Sequence, residues 1–362
     1  MAKSFVGRLR PVHRWLSIAV ALFWLLQALS GALLVFHVEL DDARLGDGTV
    51  HALDAQALGH AIAAIEQDRP GEHVRALYAT GGVANRFDLY VTRKDGKTDL
   101  VRIDGAGTVL RTSPSDYEYG RMSLYRVVSI FHQELFLGDL GTRIVGLSGL
   151  LLFTNLALGL RLAWPHRKRW RAALLPSPAQ TLRARLYAWH RAIGLWGALP
   201  AFVLVTAGIL LAFASPIRDR FGIELSEPAR TGITVTAQPD ATARAIEVAL
   251  QRHPGAALSS LRMPRDGRPW YRVRVRVSGE WHRTHGQTTM FVGAADGNVV
   301  QQQTLANAPF GVRFFESALP VHTGEAAGWA GRVLSCAVGL WLATMVALGV
   351  AQFLAGRRAR RS

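Results

Sequence analysis

Four stretches of the chain carry no formal charge over lengths suited to crossing a bilayer: Leu16–Phe36, Ile144–Leu160, Ala192–Phe213 and Val333–Leu354. About 20 apolar residues cross a hydrocarbon core, and the second stretch, the shortest, can continue as helix at both ends. All four read as transmembrane helices. A mean hydropathy of +0.15 together with a net charge of +16 fits neither a soluble enzyme nor a disordered basic protein. The single cysteine excludes a disulfide framework and a Cys-based zinc or iron–sulfur site.

The positive charge lies where the spans need it. Residues 1–36 carry Lys3, Arg8, Arg10 and Arg14; residues 161–213 carry Arg161, Arg167, Lys168, Arg169, Arg171, Arg183, Arg185 and Arg191; the tail carries Arg357, Arg358, Arg360 and Arg361. None of the three segments holds an acid, and the rest of the chain is charge-balanced. Such a distribution argues against nucleic-acid binding and, by the positive-inside rule, puts both termini and the 161–191 loop in the cytoplasm of a bacterial inner membrane. The first apolar run is too long for a signal peptide, and no small-x-small site precedes His37, so it reads as a retained span. The expected order is therefore N-terminus and first span (1–36), external domain (37–131), second span (132–162), basic loop (163–189), third span (190–213), external domain (214–321), fourth span (322–355) and basic tail (356–362).

The two external segments have one pattern. Asp54–Gln67 is apolar at helical spacing (Leu58, Ile62, Ile65), and the alternating runs Val74–Tyr78, Arg86–Thr92, Leu100–Ile103 and Val109–Leu110 follow it. Asp240–Arg252 is likewise helical (Ala245, Val248, Ala249), with runs at Ala257–Leu261, Trp270–Val277, Thr288–Val292 and Val299–Gln302. Asp95-Gly96, Asp266-Gly267 and Asp296-Gly297 supply turns, and Pro70-Gly71 and Pro254-Gly255 stop the helices. Each segment predicts one helix followed by an antiparallel sheet of about four strands.

The spans repeat as well. Gly31 follows His13 by 18 residues, as Gly208 follows His190, and Ala32–Phe36 and Ile209–Phe213 then keep step without a gap. His132 is followed at +6, +9, +17 and +27 by Gly138, Gly141, Gly149 and Gly159; His322 has Gly328, Gly331, Gly339 and Gly349 at the same offsets. The expected architecture is a membrane protein with a four-helix transmembrane bundle and two periplasmic α+β domains, arranged as an internal duplication.

Duplication leaves four histidines at corresponding positions. His13 and His190 fall at the cytoplasmic ends of the first and third spans, and His132 and His322 near the outer ends of the second and fourth. A histidine pair at each membrane face is what two bis-imidazole haems stacked across a bilayer require. The competing reading places single histidines among lipid headgroups. After His190, Gly194, Gly197 and Ala201 share its helix face and form either a groove for a flat macrocycle or a close helix–helix seam. His37 is a reserve ligand, its repeat counterpart being Ala214. His166 lies in the basic loop, and His282-x-x-His285, though spaced like a metal motif, reads as exposed polar surface on a hairpin.

The opening His13-Arg14-Trp15, the Ser30-Gly31-Ala32-Leu33-Leu34 close of the first span and Val321-His322-Thr323-Gly324 before the fourth resemble the PepSY-associated transmembrane family, over nearly the whole chain. That resemblance implies two PepSY-like external domains and, from haem-containing ferric-siderophore reductases in the family, two haem b groups with His13, His190, His132 and His322 as axial ligands. It further implies electron transfer to a periplasmic ferric siderophore or other iron chelate. Some relatives resemble fusions to a flavin or nicotinamide reductase domain; with only a short tail after the last span here, quinol or a cytoplasmic reductase is the expected donor. Arg121, Tyr125, Arg313 and Trp281 are candidates for docking the chelate, and no catalytic side chain is assigned.

No Gly-x-Gly-x-x-Gly turn, Walker loop or nucleophile elbow accompanies these features. The alternative is a haem-free membrane protein whose PepSY-like domains regulate a protease or an envelope assembly partner, in which the four histidines are dispensable. Transport of the chelate itself is disfavoured, because the spans lack the broken helices and buried carboxylates expected at a midplane substrate site.

Overall fold

The computed structural model describes residues 5–45, 48–115, 118, 120–176, 181–223, 226–230, 238–282 and 284–358; of the basic flanks, Lys3, Arg360 and Arg361 lie outside them. The chain forms two compact units, one drawn from residues before Phe36, Val128–Pro216 and Val321 onward, the other from Phe36–Val127 and Ile217–Pro320. In chain order the helices are α1 (Phe5–Ala19), α2 (Ala21–Leu34), α3 (His37–Asp42), α4 (Ala55–Asp68), α5 (Leu124–Glu134), α6 (Asp139–Ala163), α7 (Trp170–Leu174), α8 (Leu182–Ala212), α9 (Ala214–Phe221), α10 (Pro239–Arg252), α11 (Phe310–Thr323) and α12 (Gly328–Arg358). The strands are β1 (His73–Ala79), β2 (Phe87–Thr92), β3 (Thr98–Ile103), β4 (Val109–Pro114), β5 (Ala257–Arg262), β6 (Trp270–Arg276), β7 (Thr288–Gly293) and β8 (Val299–Gln303).

In the first unit, α6, α8 and the segment Glu325–Arg357 are long and apolar enough to cross a membrane. They turn large apolar side chains outward, among them Leu147, Leu199 and Leu340. A soluble protein rarely leaves so much apolar surface uncovered, whereas hydrocarbon covers it. The first apolar run differs from expectation: it is a pair of helices bent by 65° that together make a fourth candidate span. The break falls at Val20 (φ −111°, ψ 6°). Just before it, the Ser17 hydroxyl donates back to the His13 carbonyl at 2.7 Å, a local bond that bends helices. The 14 residues of α2 rise only about 21 Å, short of a core of about 30 Å, so α2 by itself is too short to cross. α2 packs on α12, α12 on α8, α8 on α6, and α6 on α1.

A second difference concerns His132 and His322. Both sit near the C-termini of separate helices, α5 and α11, rather than on the spans that follow. The chain reverses between those helices and the spans through Leu135, Phe136 and Gly138, and through Gly324 and Gly328, all with positive φ. Gly138 (φ 56°, ψ −134°) and Gly328 (φ 59°, ψ −141°) adopt nearly one conformation, open to glycine and costly to other residues.

The second unit is built on one sheet. Asp54 caps α4 by accepting from the Ala57 N–H at 3.0 Å, and Pro239 opens α10. Instead of two separate modules, the eight strands run β4-β3-β2-β1-β5-β6-β7-β8 in a single antiparallel sheet. The seam pairs Ala76 with Arg262, Leu77 with Leu261 and Tyr78 with Ser260. As separate four-stranded sheets the modules would each expose an inner edge; pairing β1 with β5 removes both. Leu58, Ile62, Leu77, Leu89, Val101, Ile246, Leu261, Val273 and Met290 then form one continuous core under α4 and α10. Irregularities recur at matching places, Val74/Ala76 in β1 and Leu258/Ser260 in β5.

The opposite face of the first half carries a buried ion network. Arg102 lies 2.8 Å from Asp41, 2.8 Å from Asp88 and 3.2 Å from Asp42, and Arg111 reaches Asp41 at 2.6 Å. Burial alone would raise the Asp41 carboxyl; the Arg111 hydrogen bonds and the charges of Arg102 and Arg111 outweigh it and hold it below its ordinary value. A depressed native pKa means that this stabilisation is complete above about pH 4 and is lost as pH falls through the native value. Asp41→Asn is expected to cost about 3 kcal/mol at pH 7, because it takes from Arg111 its carboxylate partner and from Arg102 one of three. Thermal melts of the full chain in detergent, followed by circular dichroism at pH 7 and pH 3, should show a smaller loss on acidification in the variant than in the wild type.

Candidate functional site: two histidine pairs

The four histidines repeated in the sequence meet in two pairs. The ring centres of His13 and His190 lie 6.4 Å apart, with the planes at 64°. Those of His132 and His322 are also 6.4 Å apart, at 34°. A metal–imidazole bond is about 2.0–2.1 Å, and the bonding nitrogen lies about 1.1 Å from the ring centre. Two rings on opposite sides of one ion therefore have centres about 6.3 Å apart. Both pairs stand at that separation.

Hydrogen bonds at Nδ1 set the chemical state of the rings. His13 Nδ1–H donates to the Asn155 carbonyl at 3.1 Å, and His322 Nδ1–H to the Leu204 carbonyl at 2.9 Å. A carbonyl only accepts, so in both neutral rings the proton is on Nδ1 and the lone pair on Nε2. His132 Nδ1 lies 3.0 Å from the Ser30 hydroxyl, whose oxygen is also 3.0 Å from the Gln27 carbonyl. His190 differs: its Nδ1 is buried without a hydrogen-bond partner among the described residues. Such outer bonds orient a metal-binding imidazole and strengthen it as a donor.

Each ring also lies against a helical glycine. A Cβ at Gly31 would stand 2.8 Å from His132 Cε1, at Gly208 2.9 Å from His322 Cε1, at Gly159 3.0 Å from His13 Cε1, and at Gly349 3.6 Å from His190 Cε1. The glycines at +18 and +27 thus mark where each helix receives the histidine of its neighbour. Their repetition was visible in the sequence; their purpose was not, since it depends on which helices touch. The carbonyls of Asn155 and Leu204 left no signal, because any residue supplies one.

The chain from residue 10 to residue 355 matches the family described as PepSY-associated TM region. The chain belongs to that family. It is a multi-pass membrane protein with an antiparallel sheet unit. Comparison with curated proteins finds no match.

Other sequence candidates fall elsewhere. The stripe Gly194, Gly197, Ala201 is a helix seam: a Cβ at Gly197 would run into the Trp341 indole and one at Gly194 would stand 3.1 Å from Met345, so side chains of α12 fill the groove. Trp341 is fixed there by its Nε1–H, which donates to the Ile193 carbonyl at 2.7 Å. Tyr125 is buried, with the Arg44 guanidinium over its ring at 5.5 Å; Arg121, Arg313 and Trp281 are exposed. His37 packs near Tyr125, at 6.5 Å between ring centres. Of the pair expected on exposed surface only His285 is exposed: His282 is buried, its ring 4.7 Å from that of His285 and its Nδ1 accepting from the His285 backbone N–H. Among the described residues no three His, Cys, Asp or Glu gather where they could hold a metal ion, so each histidine pair offers two protein donors.

Ring placement by glycine makes a direct prediction. Gly31→Ala and Gly208→Ala should lower the melting temperature, because overpacking of about 1–3 kcal/mol displaces rings held by their Nδ1 bonds. Gly349→Ala, with room for a Cβ, should leave it unchanged or raise it, alanine being the better helix former by about 1 kcal/mol. Melts of the detergent-purified variants decide it.

Proposed function

We propose that this protein is a di-haem b reductase of the bacterial inner membrane, carrying electrons from quinol or a cytoplasmic reductase to a periplasmic ferric siderophore or other iron chelate. The reading rests above all on one observation: two histidine pairs, each with ring centres 6.4 Å apart, three of the four rings bonded at Nδ1. The donor set suits haem. A zinc ion takes four ligands, whereas a haem iron would need only two side chains from the protein. His13 and His190 would hold one group, and His132 and His322 the other. Bound haem supplies one-electron transfer at a potential the protein tunes.

The chain's own contribution is to prepare the ligands and keep water away. Carbonyls of Asn155 and Leu204 hold the Nδ1 protons of His13 and His322 and keep Nε2 free to donate, and with the Ser30 hydroxyl on His132 they stop the rings from turning. The glycines let each imidazole approach the neighbouring helix. Reduction releases the metal because hard oxygen chelators hold Fe(II) much less well than Fe(III). The matching Gly138 and Gly328 conformations and the repeated strand irregularities support an internal duplication, with α1/α2, α6, α8 and α12 as a four-helix bundle. The basic flanks support cytoplasmic termini.

A dithionite-reduced-minus-oxidised spectrum and a pyridine haemochrome assay on purified protein test the reading. The expected result is a b-type spectrum with close to two haems per chain, halved in His13→Ala and in His322→Ala. A folded protein free of haem after expression with haem supplied would overturn it and leave the PepSY-like sheet unit as the functional part.

A further inference from the structure

The two halves of the sheet carry arginines on the face away from α4 and α10, and they treat them differently. In the first half Arg102 is surrounded by Asp88, Asp41 and Asp42. Burial alone would lower its pKa, and those carboxylates more than reverse the effect, raising it above the ordinary value. In the second half, Arg262 of β5 and Arg272 of β6 are direct cross-strand partners, and Arg274 stands two residues along, opposite Ser260. Like charges placed directly opposite destabilise a sheet.

Their bonds do not offset this repulsion. Arg262 Nε–H donates to the Tyr78 hydroxyl at 2.9 Å, and Arg274 Nε–H to the Thr289 hydroxyl at 3.2 Å, both neutral acceptors. Among the described residues the carboxylate in ion-pair range of Arg272 is Glu227, at 3.6 Å, and Glu227 is shared with Arg268 at 3.1 Å. Arg272 Nε is buried with no hydrogen-bond partner among the described residues. Burial, then the charges of Arg274 and Arg262, pull the Arg272 guanidinium down to about 10. An anion at this place would supply what the first half of the sheet has in Asp41, Asp42 and Asp88.

We propose that the Arg262–Arg272–Arg274 face is the binding site for the carboxylate groups of an anionic iron chelate, which rests on the reductase reading in naming the ligand an iron chelate. Guanidinium groups take planar two-oxygen anions with paired hydrogen bonds, in a geometry an ammonium group lacks. Adjacent strands lie about 4.8 Å apart and alternate residues about 7 Å apart, so the patch matches a small polycarboxylate. Tyr78, bonded to Arg262, borders it.

The test uses gallium(III) citrate, which resembles a ferric carboxylate chelate and cannot be reduced under these conditions, titrated calorimetrically into the full-length protein in detergent. The expected result is salt-sensitive binding, weakened at least tenfold in Arg262→Gln and in Arg272→Gln and unchanged in Arg252→Gln, an exposed arginine at the end of α10. Because Arg262 is exposed, its variant keeps the test valid if Arg272→Gln fails to fold. Absence of binding to folded protein, or wild-type affinity in both variants, would overturn the proposal. So would loss of the signal in nanodiscs of anionic lipid with its retention in neutral ones, which would assign the arginines to lipid phosphate. Gallium binding needs no electron. A haem-free protein that binds through these arginines would therefore keep the anion site and refute the reductase, and a two-haem protein that fails to bind would do the reverse.

Discussion

An imidazole set among apolar helices carries a polar Nδ1 that has to be satisfied, and for His13, His132 and His322 the membrane unit is arranged around that requirement. Carbonyls on neighbouring segments take the Nδ1 protons of His13 and His322. That bond requires the helices to approach closely, and close approach requires glycine opposite the ring, as at Gly159 and Gly208. The bend at Val20 belongs to the same set of contacts, since Ser17, which accepts from the Asn155 side chain at 2.9 Å, bonds back to the carbonyl of His13. Removing any one of these features strands a polar group in an environment with no water to receive it.

The sheet unit solves a different problem by the same economy of repetition. Two modules that would each expose a strand edge are closed against one another through β1 and β5, and two amphipathic helices then cover one core instead of two. Joining the modules also gives the sheet a continuous second face on which the halves diverge. One half neutralises its arginines internally, with Asp41 and Asp42 from α3 reaching the sheet; the other leaves an opposed arginine pair. Duplicated elements keep their backbone plan and vary their charge, and the variation is where a distinct role can arise.

Much of this was legible in the sequence. Charge-free runs and basic flanks announced the spans, alternation announced every strand though only the first two residues of β4, which runs on to Pro114, and equal spacings singled out the four histidines. Periodicity reports only which way a side chain faces within its own element, so it could not show that His132 and His322 sit on helices separate from the spans that follow. That separation comes from positive-φ residues such as Leu135 and Phe136, which look like ordinary apolar helix in a composition window. For the same reason Gly194 and Gly197 read equally well as a groove or a seam until Trp341 and Met345 were seen to fill it.

The sequence by itself determined the apolar spans, the helix-then-strands plan of each soluble segment and the residues worth pairing, because these follow from local hydrophobicity and spacing. Tertiary structure decided the ring separations, the Nδ1 acceptors, the partner of each glycine and the joining of two sheets into one. Each of these depends on contacts between residues more than a hundred positions apart, and no local pattern along the chain records which of them will meet.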